Sequence, residues 1–170
     1  MRSKIIWFTG LSGSGKTTLS NCIAKKLKKK FKILKIDGDD FRKKKKLNKF
    51  TKKSIIQNNL LIINYIIKRI NKYQYILVSV ISPLRKTRIL ARKKFGKNYF
   101  EVFTKCNLRE LIKRDTKNLY DMAKQKKINN LIGYNSKIKY ERTKYKKIIV
   151  NTAKEKITVS TNKILRKIIS

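Results

Sequence analysis

The stretch Phe8–Thr18, FTGLSGSGKTT, restricts the fold more than any other part of the chain. It contains the pattern G-x-x-x-x-G-K-[ST], with Gly10, four intervening residues, Gly15, Lys16 and Thr17. Before it, Lys4–Phe8 is a short apolar run of strand length; after it, Leu19, Cys22, Ile23 and Leu27 recur at helical spacing. Strand, glycine-rich turn and helix together are the context in which this pattern makes a phosphate site. Glycines let successive backbone N–H groups point inward at the positive end of a helix, forming an anion nest. Gly10, Leu11, Ser12, Gly13, Ser14, Gly15, Lys16, Thr17 and Thr18 are therefore the predicted nucleoside-triphosphate loop. Lys16 would reach the β- and γ-phosphates, and the Thr17 hydroxyl could ligate Mg²⁺.

With 170 residues and 41% hydrophobic content, the chain can bury a core and fits one domain. No apolar run approaches the length of a membrane span, and Ile5–Phe8 is too short for the core of a signal peptide. A cytoplasmic protein without membrane contact is expected. Cys22 and Cys106 are too few and too separated for a disulfide framework or a metal site, and Cys22 is expected in the core. There is no histidine, so any proton acceptor must be a carboxylate. The net charge of +38 invites a nucleic-acid reading, but the lysines are dispersed over the chain and accompany abundant isoleucine and asparagine. That joint enrichment is what an A+T-biased genome produces, so nucleic acid is not the expected partner. Among only nine acidic residues, Asp37, Asp39 and Asp40 stand together.

Lys32–Ile36 reads as a second strand entering the Asp37-Gly38-Asp39-Asp40 turn, followed by a basic loop over Phe41–Lys53. Ser54–Lys72 carries Ile55, Ile56, Leu60, Ile63, Ile66, Ile67 and Ile70, a helix with a broad apolar face. Tyr75–Ile81 is a continuous β-rich run, the mark of a buried parallel strand. Ser82-Pro83 is expected to open a helix reaching Phe95. A strand at Tyr99–Thr104 and a helix capped by Asn107 follow, the helix reaching Arg114. Polar, lysine-rich residues 115–145 suit a lid; Lys147–Val150 is the last strand and Ala153–Ile169 a closing helix. This alternation predicts an α/β P-loop fold: a mostly parallel five-stranded sheet, helices on both faces, and residues 1–170 as one domain.

A carboxylate at a strand's C-terminal edge, beside the phosphate loop, faces the ligand crevice of an open sheet. Asp37 and Asp39 can thus divide two tasks, organising the metal's water shell and accepting a proton from an attacking hydroxyl. A turn that merely uses Asp and Gly is the plainer alternative. Tyr75–Ile81 carries no aspartate, which argues against a motor ATPase and for a small kinase whose lid excludes water.

FTGLSGSGKTTL, IDGDDFR, VISPLRKTR, YFEV, RDTKNLY and YERT…IIVNT, in this order, resemble the adenylylsulfate kinase family to about Thr152. The resemblance implies transfer of the γ-phosphoryl group of ATP, with Mg²⁺, to the ribose 3′-hydroxyl of adenosine 5′-phosphosulfate. It implies Lys16 on the transferring phosphate, Asp39 as base, Thr17 and Asp37 at the metal, and Arg114 and Thr152 at ATP. Arg42, Phe50, Asn58, Ile81, Ser82, Lys117 and Leu131 fall at nucleotide-substrate positions. Ser82 corresponds to a position assigned in the family as a phosphoserine intermediate, although in-line transfer between two bound nucleotides needs no covalent stop and a helix cap explains it equally. The resemblance also implies a possible homodimer.

The departures concern the acceptor. Lys43–Lys46 stands where the family has Gly-Leu-Asn, one residue short. Ser54, Ile55, Leu60 and Leu61 replace its acidic and arginine positions, and Leu131 replaces a phenylalanine. Either lysines take over from the arginines as point charges, or the acceptor half suits another nucleotide, such as the cytidine diphosphoramidate used by relatives in capsule decoration.

Overall fold

The structure, a computed structural model, describes residues 2–45 and 50–169. Strand β1 (Lys4–Thr9) lies at the centre of a five-stranded sheet in the order β2-β3-β1-β4-β5, with every pairing parallel. The others are β2 (Ile33–Asp37), β3 (Tyr75–Ser79), β4 (Tyr99–Lys105) and β5 (Ile148–Asn151). Residues Ile5, Ile6, Trp7 and Phe8 have no exposed surface, because a central parallel strand is covered on both faces. The period of two divides them. Ile5 and Trp7 pack with Ile62, Ile63, Ile66, Ala91 and Phe95, from helices α3 (Lys52–Ile67) and α4 (Arg85–Phe95). Ile6 and Phe8 pack with Leu19, Ile23, Ile164 and Ile168, from α1 (Lys16–Leu27) and α7 (Ile157–Ile169). Each such side chain contributes roughly 1.5–3 kcal/mol by leaving water.

Several local expectations are revised. The basic stretch expected as a loop starts inside a helix, α2 (Gly38–Lys44), whose N-cap is Asp37 accepting from the Asp39 N–H. Asp39 and Asp40 occupy its first turn and Arg42, Lys43 and Lys44 its last, the arrangement a helix dipole favours, and Phe41 is its apolar anchor. Of the rest of that loop reading, residues 46–49 lie outside the described residues, and Lys52 and Lys53 already belong to α3. Ser82-Pro83 does not open α4: the helix starts at Arg85 with Leu84 as N-cap, and Ser82 sits at φ 42. On α3 the inward face includes Asn58 and Asn59, whereas Leu60 and Ile67 are exposed. Cys22 is half-buried beside the stripe formed by Leu19, Ser20, Ile23 and Leu27.

Helix α5 (Leu108–Arg114) has the expected cap, Asn107 Oδ1 accepting from the Glu110 N–H. The region expected as a lid contains α6 (Leu119–Lys124) and has a core of its own, in which Tyr120, Ala123 and Leu131 pack with Leu111. None of the helices among the described residues is long and apolar enough to cross a membrane.

Candidate active site

The C-terminal ends of β1, β2 and β3 open into a cavity of about 330 Å³. Its floor is the loop between β1 and α1, where Ser12, Gly13, Gly15, Lys16, Thr17 and Thr18 line it. Gly10 shows why the loop needs glycine. Its φ is 145, and a Cβ there would lie 2.4 Å from Thr104 Oγ1 and 2.7 Å from the Thr104 carbonyl. The close approach lets β4 hold the loop: the Thr104 hydroxyl donates to the Thr9 carbonyl at 3.1 Å and pairs with Ser14 Oγ at 2.6 Å. Gly10, Leu11 and Ser14 thus shape the loop from behind.

Lys16 is the central cation. Its Nζ donates to the carbonyls of Gly10 (3.0 Å) and Leu11 (2.7 Å). Burial pushes its pKa down to about 8, an effect reinforced by Lys117 and opposed by Asp39 and Asp37. An ammonium held by two carbonyls, with no carboxylate bonded to it among the described residues, is poised for an anionic ligand.

The carboxylates stand at the end of β2. Thr17 Oγ1 donates to Asp37 Oδ2 at 2.9 Å, while Asp37 Oδ1 accepts from the Asp39 N–H at 3.0 Å. Gly38 permits this turn, since a Cβ there would meet Val80 Cγ2 at 2.7 Å. Asp39 Oδ2 is paired with Lys117 Nζ from the lid. Burial alone would lower the Lys117 pKa, but the bond and charge of Asp39, with Asp37 and Asp40, outweigh it and raise the value. A hydroxyl and a carboxylate oxygen in contact are hard donors suited to Mg²⁺, which commonly takes one or two protein oxygens and completes its shell with phosphate and water.

At the opposite end, Arg114 donates from Nη2 to the Thr152 carbonyl at 2.6 Å and from Nε to Glu110 Oε1 at 2.9 Å. Thr152 Oγ1 in turn donates to the Ser14 carbonyl at 3.1 Å, fixing this wall to the loop.

The cavity therefore brings together Lys16, Thr17, Asp37, Asp39, Ile81, Arg114, Lys117 and Thr152. It does not include Arg42, Phe50, Asn58, Ser82 or Leu131. Arg42 stacks over the Phe50 ring at 4.2 Å; its pKa is lowered by burial, against Asp39. Asn58 is buried, with no partner for Oδ1 among the described residues. Leu131 is buried in the lid core. Ser82 is 1% exposed, its hydroxyl donating to Asn59 Oδ1 (2.5 Å) and accepting from Trp7 Nε1 (3.0 Å). Of the lysines expected to serve the acceptor, Lys46 lies outside the described residues.

Two features were missed by sequence reasoning. Glu155 and Ser160 line the wall near Thr152, and Glu155 accepts from the Asn151 N–H (2.9 Å) and the Ser160 hydroxyl (2.7 Å). Burial would raise the Glu155 pKa, but these donors and Lys163 hold it below the usual carboxylate value. The scarcity of acids was a usable signal here, as it was at Asp37. The other feature, a buried Arg88–Glu101 pair between α4 and β4, joins the stretches VISPLRKTR and YFEV, whose sequences do not announce the pairing.

A family model described as adenylylsulphate kinase matches residues 2–151. A probable adenylyl-sulfate kinase of Archaeoglobus fulgidus is 39% identical over 124 residues, covering 71% of this chain and 79% of that protein. A cytidine diphosphoramidate kinase of Campylobacter jejuni is 35% identical over 120 residues, covering 70% of each. Among solved structures, an APS kinase of Mycobacterium tuberculosis in complex with AMPPNP and APS superposes with a TM-score of 0.90 at 29% identity, covering 99% of both chains.

Proposed function

This chain belongs to the adenylylsulphate kinase family, and we propose that it transfers the γ-phosphoryl group of ATP to the ribose 3′-hydroxyl of adenosine 5′-phosphosulfate. The observation that carries the reading is the arrangement of Lys16, Thr17, Asp37 and Asp39 around one cavity. The triphosphate would enter the loop and draw Lys16 from the Gly10 and Leu11 carbonyls onto its β- and γ-oxygens. Mg²⁺, held through Thr17 and Asp37, would offset the charge on the transferring group. Asp39 would accept the proton of the acceptor hydroxyl as its oxygen bonds to phosphorus and ADP leaves. Lys117, released from Asp39, would turn to the acceptor's anionic group. The guanidinium plane of Arg114 would meet the ATP base, beside Thr152.

Catalysis of this kind is positioning and charge stabilisation, with no need for an enzyme-bound phosphoryl group. We therefore assign Ser82 no covalent role, in keeping with its burial and its engaged hydroxyl. Arg42 with Phe50, Asn58, Ile81 and Leu131 complete the proposed acceptor side, which requires movement of α2 and the lid for those outside the cavity. We read the chain as a single kinase domain whose lid spans 115–145. We also propose a homodimer, as the resemblance implies, and a cytoplasmic site of action; sedimentation at several concentrations tests the first.

A second acceptor has one observation in its favour. Ser54, Ile55, Leu60 and Leu61 supply no cation to the acceptor side of α3, and a relative of similar identity bears the name cytidine diphosphoramidate kinase. The test is ADP release with MgATP and either acceptor, with Asp39→Ala as control. Preference for adenosine 5′-phosphosulfate, abolished by Asp39→Ala, supports the main reading; preference for cytidine diphosphoramidate replaces it.

A further inference from the structure

Residues 140–145 form a strap that reaches Thr9 at the end of β1, Pro83 after β3 and Glu101 within β4. The Glu141 N–H donates to the Pro83 carbonyl at 2.9 Å, and Glu141 Oε2 accepts the Arg85 N–H at 2.6 Å, capping the start of α4, which Leu84 cannot cap with its own side chain. Tyr140 OH shares a hydrogen bond with Thr9 Oγ1 at 2.8 Å, and the Tyr145 hydroxyl donates to Glu101 Oε2.

At the centre is Arg88, 1% exposed, on the buried face of α4. One guanidinium nitrogen donates to the Ser82 carbonyl and another to the Glu141 carbonyl. Its Nε lies 3.6 Å from Glu101 Oε1, too far for a hydrogen bond but close enough for a buried ion pair. The Tyr140 ring lies 4.8 Å from the guanidinium carbon. A single buried cation thus joins the strap to Ser82.

Ser82 needs such a hold. Its φ of 42 is one that a side chain rarely adopts, and it persists because its carbonyl and hydroxyl are both engaged. The adjacent Ile81 lines the cavity on the side of Asp37 and Asp39, and its carbonyl accepts from Thr9 Oγ1 at 2.5 Å. The phosphate loop has a separate support, the Thr104 hydroxyl.

We propose that Arg88 and Glu101 are positioning residues: with the strap 140–145 they fix Ser82, and through it the Ile81 wall that the acceptor meets, while leaving the ATP loop to its own tie. The kinetic part of this inference rests on the reaction proposed above, but the geometric part does not. Trp7 is the sole tryptophan, and its Nε1–H donates to Ser82 Oγ. The chain therefore carries one indole N–H resonance that reports the position of Ser82 in the absence of any substrate.

The experiment uses the full chain with Tyr145→Phe, Glu101→Gln and Arg88→Lys. Tyr145→Phe removes only a hydroxyl and keeps the test decisive if the buried variants do not fold. Expected are displacement of the Trp7 indole resonance and a rise of about fivefold in the acceptor KM, as for one lost hydrogen bond, with the ATP KM within about twofold. An indole resonance that stays in place in the folded variants overturns the inference, and so does an ATP KM that rises in step with the acceptor KM. Wild-type protein inactive with adenosine 5′-phosphosulfate would overturn the proposed reaction instead, and the resonance would still decide the geometry.

Discussion

Raising the pH should weaken ATP binding, and the size of the effect follows from Lys16. In the nucleotide-free protein burial sets its pKa at about 8, well below the ordinary lysine value. Bound triphosphate places several negative charges beside the ammonium and restores its preference for the proton. The complex therefore holds a proton that the free protein loses as pH rises through about 8, so affinity is full below that pH and declines above it. At about pH 9 roughly one free molecule in ten keeps Lys16 charged, so the apparent Kd for MgATP should be about tenfold higher than at about pH 7. That ratio corresponds to about 1.4 kcal/mol. Burial pushes Tyr120 and Tyr140 up to about 12, which leaves them silent in this window. Titration calorimetry in buffers of different ionisation enthalpy measures both the Kd and the proton uptake. Lys16→Arg, whose guanidinium does not titrate there, should bind with no such slope. A flat wild-type profile, or the same slope in Lys16→Arg, refutes the reasoning.

Asp39→Asn should keep the shape of the α2 start while removing the proposed proton acceptor, lowering kcat by about a hundred- to ten-thousand-fold in a coupled ADP assay with ATP binding retained. Gly10→Ala drives a methyl group into the Thr104 backbone, which cannot yield as a side-chain tip would, and should cost about 1–3 kcal/mol in thermal denaturation together with most ATP affinity. Arg88→Ala leaves Glu101 buried without its counter-charge and two carbonyls without donors, a loss of about 3–5 kcal/mol by denaturant titration. Arg114→Ala removes the bond to the Thr152 carbonyl and the plane proposed to meet the base, and should raise the ATP KM while leaving the acceptor KM near its wild-type value.

The sheet and the donor half of the site were legible because their signals are local. Ile5–Phe8 is continuously apolar where a central strand is covered on both faces, and Gly10 through Thr17 keep a spacing that backbone geometry demands. Asp37 and Asp39 stood out because acids are scarce. Helix α2 was hidden because its single apolar anchor, Phe41, gives no period; the cap at Asp37 and the acids in the first turn were the available clue. Ser82 before Pro83 looked like a helix opening, but tertiary partners hold it one turn earlier in a left-handed conformation. Asn59 was passed over among isoleucines, since a sequence does not say which polar residues find partners inside, as Asn59 does with the Ile55 carbonyl and the Ser82 hydroxyl. The Arg88–Glu101 clamp depends on three segments meeting, and no spacing rule announces such a meeting.

The most direct test of the account is phosphorus NMR of the reaction of MgATP with adenosine 5′-phosphosulfate. A new phosphomonoester resonance, coupled to the ribose 3′ proton, appearing with ADP in equal amount and absent with Asp39→Ala, is the predicted result. ADP formed with inorganic phosphate alone, or a product that forms undiminished with Asp39→Ala, would contradict it.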